Sequence, residues 1–196
     1  MPVTYTNHKG LTYHLCQVAT KTGKPRYVFA REPKGDPLEE IPAGWHIRES
    51  VNGVVSLARD RPAQILPGEL AAVEAAVARH PKSHSYRVAV RRNRIEVYER
   101  VGPDAGDLLA SLAEVGLETT TRLAGRLRVD MDRRAQFAPV LRFVLTDAAE
   151  RTFRVERMCY RSSVDGWLDV HQYGPADRLA RQWVPRLGTD AFFGVF

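Results

Sequence analysis

The chain is poor in cysteine and has no long apolar run and no phosphate-binding glycine loop; each absence closes a class of function. Cys16 and Cys159 are the only cysteines in 196 residues. Without a Cys-x-x-Cys pair a thiolate zinc site is not expected, and two cysteines so far apart read as small buried thiols within strands. No stretch approaches the roughly 18 uninterrupted apolar residues of a membrane span. The opening Met1-Pro2-Val3-Thr4-Tyr5 lacks the apolar core of a secretory leader. A cytoplasmic protein without a membrane partner is the resulting expectation. Neither a Walker-type loop nor a Gly-x-Ser-x-Gly elbow occurs, and there is no heptad, solenoid period or low-complexity block.

What is present is an ordinary folding composition. Hydrophobic residues make up 44% and charged residues 27%, enough to bury a sizeable core without a metal or a disulfide. No cofactor is expected. The formal net charge is +6, carried mostly by arginine, whose planar fork suits phosphate. That balance favours polyanion contact.

Period-two alternation and turn chemistry mark a series of hairpins. Leu11 to Val18 alternates, turns through Thr20-Lys21-Thr22-Gly23-Lys24, and returns as Pro25 to Ala30. Trp45 to Glu49 and Val54 to Arg59 flank Asn52-Gly53, the strongest hairpin signal in the sequence and the signature of a turn with two positive φ angles. Tyr86 to Arg91 and Ile95 to Tyr98 flank Arg92-Asn93. Val140 to Leu145, mostly apolar, reads as a central strand buried on both faces. Thr152 to Tyr160 follows it, then Gly166 to His171, with Ser162-Ser163 as an ordinary turn.

Helical periodicity appears over Glu69 to His80 (Leu70, Val73, Ala76, Val77). It recurs after Pro103-Asp104 (Leu108, Leu109, Leu112, Val115), with Gly116 as a stop, and after Gly174-Pro175 (Leu179, Trp183, Leu187), where Pro185 shortens it. Residues 118–136 read either as a short helix or as a basic loop. The fold class is α+β, with antiparallel sheets built from consecutive β-hairpins and three to four helices. A β-hairpin module over 1–61 and an α+β domain over 62–196 are the expected divisions, either separate or packed as one.

Tyr5-Thr6-Asn7-x-Lys9-Gly10-x-Thr12-Tyr13, Thr20-Lys21-Thr22-Gly23-Lys24-Pro25-Arg26-Tyr27 and Ile41-Pro42-x-Gly44 resemble the opening of a group of uncharacterised bacterial proteins. The resemblance covers about the first sixty residues. It implies a bacterial origin and a discrete N-terminal module, and carries no catalytic or binding residue.

Three basic clusters stand out as candidate nucleic-acid contacts. Lys21, Lys24 and Arg26 lie around one hairpin tip, near Tyr13, Tyr27 and Phe29. Arg92 and Arg94 lie around another, beside Arg91, and Arg122, Arg126 and Arg133 lie in the arginine-rich middle. Cations at a turn neutralise phosphates, and an exposed aromatic stacks on a base. Arg122 and Arg126 share a helix face, which Arg133 continues loosely. The leading expectation is a non-enzymatic nucleic-acid-binding protein. A protein-interaction or adaptor role, motivated by Trp167 and Trp183 and by the apolar 191–196 end as a route to self-association, comes second. A metal-dependent hydrolase or nuclease using Asp165, Asp169 and His171 near Glu156 comes third; on a strand, Asp169 and His171 would share a face. His80 and His84 have ligand-pair spacing, but Pro81 interrupts the helix that would hold them, and Asp130-x-Asp132 lacks the rest of a calcium loop.

Overall fold

A computed structural model describes residues 1–117, 119–161 and 164–194, apart from the side chains at 160, 161, 164 and 165. The Ser162-Ser163 turn and residues 195–196 lie outside this range. In chain order, β1 (Thr4–Thr6), β2 (Thr12–Ala19), β3 (Pro25–Ala30), β4 (Asp36–Pro37), β5 (Trp45–Glu49) and β6 (Val55–Arg59) precede α1 (Pro67–Ala78), β7 (Tyr86–Arg91) and β8 (Arg94–Arg100). Then come α2 (Ala105–Glu114), α3 (Thr121–Arg134), β9 (Phe137–Asp147), β10 (Thr152–Arg161), β11 (Val164–Gly174), α4 (Ala176–Trp183) and the single turn α5 (Asp190–Phe193). All strand pairing is antiparallel, so the α+β hairpin architecture holds, with five α-helices among the described residues.

The fold divides into two compact units. One joins Met1–Pro62 with Leu109–Ala135; the other joins Ala63–Leu108 with the chain from Gln136 onward. The segment 109–135, assigned by sequence to the C-terminal domain, therefore groups with the N-terminal hairpins.

In the first unit β2 is the hub, pairing with β1, β3 and β4, while β5 and β6 form a separate ribbon. Three of its turns share one construction. Residues Asn7, Thr20 and Ser50 each donate their backbone N–H to the carbonyl four residues on, at 2.9 Å, and accept at their own carbonyl from Gly10, Gly23 and Gly53. In each, the side-chain oxygen also accepts the N–H four residues on: Asn7 Oδ1 from Leu11 (2.9 Å), Thr20 Oγ1 from Lys24 (3.0 Å) and Ser50 Oγ from Val54 (3.0 Å). The three glycines take φ of +74° to +78°, the left-handed region where a Cβ is penalised. This corrects the reading of Asn52-Gly53: only Gly53 has positive φ. The side-chain cap at Ser50 selects a longer, bulged turn in place of the two-residue one.

Buried apolar groups are few here, chiefly Leu15, Cys16 and Val55, and polar clamps tie the turns together. Asn7, 4% exposed, donates Nδ2–H to the Gly53 carbonyl at 2.7 Å. Lys9 Nζ donates to the Ala135 carbonyl, just past α3, at 2.7 Å. Glu49 accepts from the Tyr5 hydroxyl (2.9 Å), from the His8 backbone N–H (3.0 Å) and from the His8 ring. Tyr5, Asn7 and Lys9 thus each have a structural task. Cys16 and Cys159 are both free thiols.

The second unit is a five-stranded sheet in the order β7-β8-β9-β10-β11, with α1 and α4 packed together beside it. On one face Val97 opposes Leu141, Ile95 opposes Phe143, Phe143 opposes Val155, and Leu145 opposes Phe153. Val73, Ala76 and Val77 of α1 and Leu179, Ala180 and Trp183 of α4 complete this core. Each fully covered Leu, Ile or Phe side chain stabilises by about 1.5–3 kcal/mol. Pro185 ends α4, and the chain continues as a 3₁₀ turn over Val184–Arg186. The apolar C-terminal segment packs back at Phe192, which is buried, while the Arg157 guanidinium donates to the carbonyls of Phe192, Phe193 and Gly194 at 3.0–3.4 Å. The expectation for Val140 to Leu145 needs correction. The strand is central, but Arg142 projects from its second face.

Asn7→Ala removes a buried donor and the one side-chain oxygen that accepts the Lys9 and Leu11 N–H groups, and leaves the Gly53 carbonyl without that donor. Urea unfolding should show a loss of about 2–3 kcal/mol. The Glu49 carboxyl is pushed up by burial, but the bonds from His8 and Tyr5 outweigh that and hold it below its ordinary value. A carboxyl lowered by folding adds stability above its unfolded pKa and gives it up as pH falls through the folded one. Wild-type stability should therefore drop more steeply than that of Glu49→Gln below about pH 4; parallel curves would show that the clamp contributes nothing.

Candidate functional site

Side chains alternate across a strand, so the residues of the five-stranded sheet that do not enter the apolar core line its other face. That face is charged. Glu96, Arg142, Glu156 and Asp169 stand side by side in register on four successive strands, about 4.8 Å apart from strand to strand. Arg142 Nε donates to Glu156, and the Arg142 guanidinium lies over the Trp167 ring, 4.0 Å from its centroid. Arg154 reaches Glu156 at 2.6 Å and Asp169 at 3.7 Å, and the Tyr173 hydroxyl donates to Asp169 at 3.2 Å.

At the other end of the row, Glu96 holds two arginines. Arg94 Nε donates to it at 2.6 Å, and Arg91 Nε lies 3.6 Å from its other oxygen, which also accepts from Tyr98. Burial and the adjoining Glu96 raise the Tyr98 hydroxyl above its ordinary pKa, so it remains a donor. Glu96 and Glu156 are each only 4% exposed. A buried carboxylate is tolerated only when paired and hydrogen-bonded, and both are.

Arg91 and Arg94 are direct cross-strand partners closing the β7–β8 hairpin. Like charges in that position repel, and the shared carboxylate below offsets the repulsion. Both side chains remain more than a third exposed, at 38% and 36%. Between them Arg92 takes φ +53°, a conformation that hairpins usually assign to glycine or asparagine. Asn93 anchors the turn, its carbonyl accepting from Leu145 N–H at 2.8 Å.

The other residues named from sequence fall elsewhere. Lys21 and Lys24 are exposed on the Thr20 turn, and Arg26 is exposed on β3. Tyr27 packs edge-on against Trp45, with centroids 5.9 Å apart, and Tyr13 and Phe29 are half-buried; these aromatics serve the scaffold. Arg122, Arg126 and Arg133 are exposed on α3, and at 100° per residue all three fall on one stripe. The eight residues of β2 separate the Asn7 turn from the Thr20 turn by about 26 Å. Since Lys9 grips the C-terminal end of α3, Arg133 lies toward the opposite end of β2 from Lys21 and Lys24. These two clusters do not merge there.

The acidic candidates read differently in three dimensions. Between Arg154/Tyr173 and Glu156/Asp169 the register shifts, and His171 takes φ +52° with its N–H donated to Asp169 Oδ1 at 2.7 Å. That bulge removes the alternation on which a shared Asp169 and His171 face depended. Asp169 and Glu156 are engaged by arginine, and the Asp165 side chain lies outside the described residues. Buried His80 accepts the Lys82 N–H at Nδ1 and bonds the Leu187 carbonyl at Nε2, whereas His84 pairs with Asp104. Among the described residues no group of three or more His, Cys, Asp or Glu is arranged to hold a metal ion.

Trp167 entered the sequence reading only in support of an adaptor role, and Glu96, Tyr98, Arg142 and Arg154 were not singled out at all. Their signal was present as charged residues at two-residue spacing within strands, Arg94-x-Glu96-x-Tyr98 and Arg154-x-Glu156. No family model, curated protein or solved structure matches the chain.

Glu156→Ala would strand Arg142 and Arg154 beside a buried site, a change expected to cost about 3–5 kcal/mol. Denaturant unfolding checks this, and a loss under about 1 kcal/mol would mean that solvent already screens the row.

Proposed function

We propose that this chain binds nucleic acid through phosphate contacts centred on the Arg91–Arg94 turn, with Lys21, Lys24, Arg26 and the α3 arginines Arg122, Arg126 and Arg133 as further contacts. The observation that carries the reading is the pair of partly exposed guanidinium groups set over one buried carboxylate. Glu96 supplies a single negative charge for two facing cations, so a phosphate oxygen resting on both completes the neutralisation. The carboxylate and Tyr98 also hold Arg91 and Arg94 in place before any ligand arrives, which lowers the entropy lost on binding. Arg92 fits the same reading. A non-glycine residue at positive φ costs on the order of 1 kcal/mol, and at this exposed tip the side chain adds a third cation beside the pair.

Other readings have less support. Phe192 is buried, so an adaptor surface at the C-terminal end has Phe193 as its only exposed large apolar group among the described residues. For a hydrolase, the candidate carboxylates Glu156 and Asp169 are already paired with arginine.

Fluorescence anisotropy with mixed-sequence DNA and RNA at about 50 and 200 mM salt tests the proposal. Arg91→Ala with Arg94→Ala should weaken binding about tenfold or more and reduce the salt slope by about two. Arg92→Gly should stabilise the fold by up to about 1 kcal/mol while weakening binding. No association at the lower salt concentration, where counterion release favours it most, overturns the reading.

A further inference from the structure

α2 and α3 are the least packed elements of the chain. α3 has no buried residue and α2 has only Ala105, and neither packs extensively on another element. Five of the thirteen large apolar residues exposed among the described residues fall between Leu108 and Val129. Helices of 10 and 14 residues are near or below the length at which an isolated helix holds its shape in water. Local caps help. Gly116 and Leu117 close α2 by donating to the Ala113 and Leu112 carbonyls at 3.0 Å, and Thr120 Oγ1 caps α3. Caps alone, however, leave Leu108, Val115, Leu117, Leu123 and Val129 in water.

The charges on the two helices are opposite. α2 carries Asp107 and Glu114 and no cation; α3 carries five arginines and two aspartates. Along α2, Asp107 and Glu114 are seven residues apart on one side, with Leu108 and Val115, also seven apart, running beside them. Along α3, Arg126 and Arg133 are seven residues apart with Val129 between them and Leu123 on the adjoining strip. Seven residues rise about 10.5 Å in either helix, so the acidic and basic lines match in length.

We infer that α2 and α3 form the contact between two copies of this chain, with α2 of each copy lying antiparallel on α3 of the other. Glu114 then meets Arg126, Asp107 meets Arg133, and the exposed apolar lines cover each other. Such a contact is isologous and closes at two copies. A second copy is the occupant that charge favours, because one chain carries both halves of the match. Asp107 also accepts the Asp104 N–H at the start of α2, which leaves Glu114 and Arg126 as the cleaner pair to exchange.

Sedimentation velocity on the full chain, without nucleic acid and over about a hundredfold dilution, tests this independently of the phosphate contact centred on Arg91 and Arg94; in the dimer Arg126 and Arg133 are taken by the second copy's acids, so of the three α3 contacts only Arg122 stays open to phosphate. The wild type should sediment as a dimer. Glu114→Arg and Arg126→Glu should each weaken self-association about tenfold, and an equimolar mixture of the two variants should regain wild-type behaviour, since each then offers what the other needs. A misfolded variant could not be rescued by mixing, so recovery also reports on folding. A monomeric wild type, variants that associate as tightly as wild type, or weakening that mixing does not repair would each overturn the proposal.

Discussion

Much of the second unit turns on one constraint: a cation placed in the central strand of a sheet has to find carboxylates on its neighbours. Arg142 interrupts an otherwise apolar strand, and the strands on either side present Glu96 and Glu156 in register with it. Because side chains alternate with a period of two, a slip of one residue in any of these strands would carry the charges into the apolar core and the aromatic residues onto the charged face. The row and the core therefore specify the same register from opposite faces. Burial makes the row intolerant of loss, since a lone charge there has no comparable compensation.

The same constraint explains the form of the candidate site. Once Glu96 is committed to the row's end, the two arginines closing the β7–β8 hairpin can stand opposite each other without flying apart. They are partly neutralised and partly exposed, an arrangement suited to a further anion. In the proposed reading the loop would supply the binding surface while the sheet holds it still, the division of labour expected when binding groups sit on turns.

The first unit reaches order by a different route. With few buried apolar groups, it relies on three turns built alike and on the side chains of Asn7, Lys9 and Glu49, which fasten the turns to one another, to β1 and to the end of α3. Polar clamps of this kind are directional, so they fix geometry well while each contributes only modest net stability. The repeat is invisible at the level of whole elements. It becomes plain once Asn7, Thr20 and Ser50 are compared as residues that each precede a left-handed glycine by three places.

Local chemistry was enough to read the hairpins, α1, the glycine stop of α2 and the proline that shortens α4, because each depends on residues within a few positions of one another. It was also enough to mark the basic clusters as surface groups. Very short pairings such as β1 and β4 carry too few residues for periodicity to register, and the bulge at His171 upset an alternation that sequence had to assume. Which helix joins which unit depended on residues far apart in the chain, and which carboxylate lies under which arginine depended on strand register and burial that spacing alone does not fix. Glu96 and Glu156 looked like ordinary surface acids until the sheet brought Arg94, Arg142 and Arg154 beside them. The sequence by itself determined an α+β hairpin protein with arginine at its turns. Only tertiary structure decided that two of those arginines share a buried carboxylate, because burial and cross-strand pairing arise from the packed sheet and are absent from any local stretch of chain.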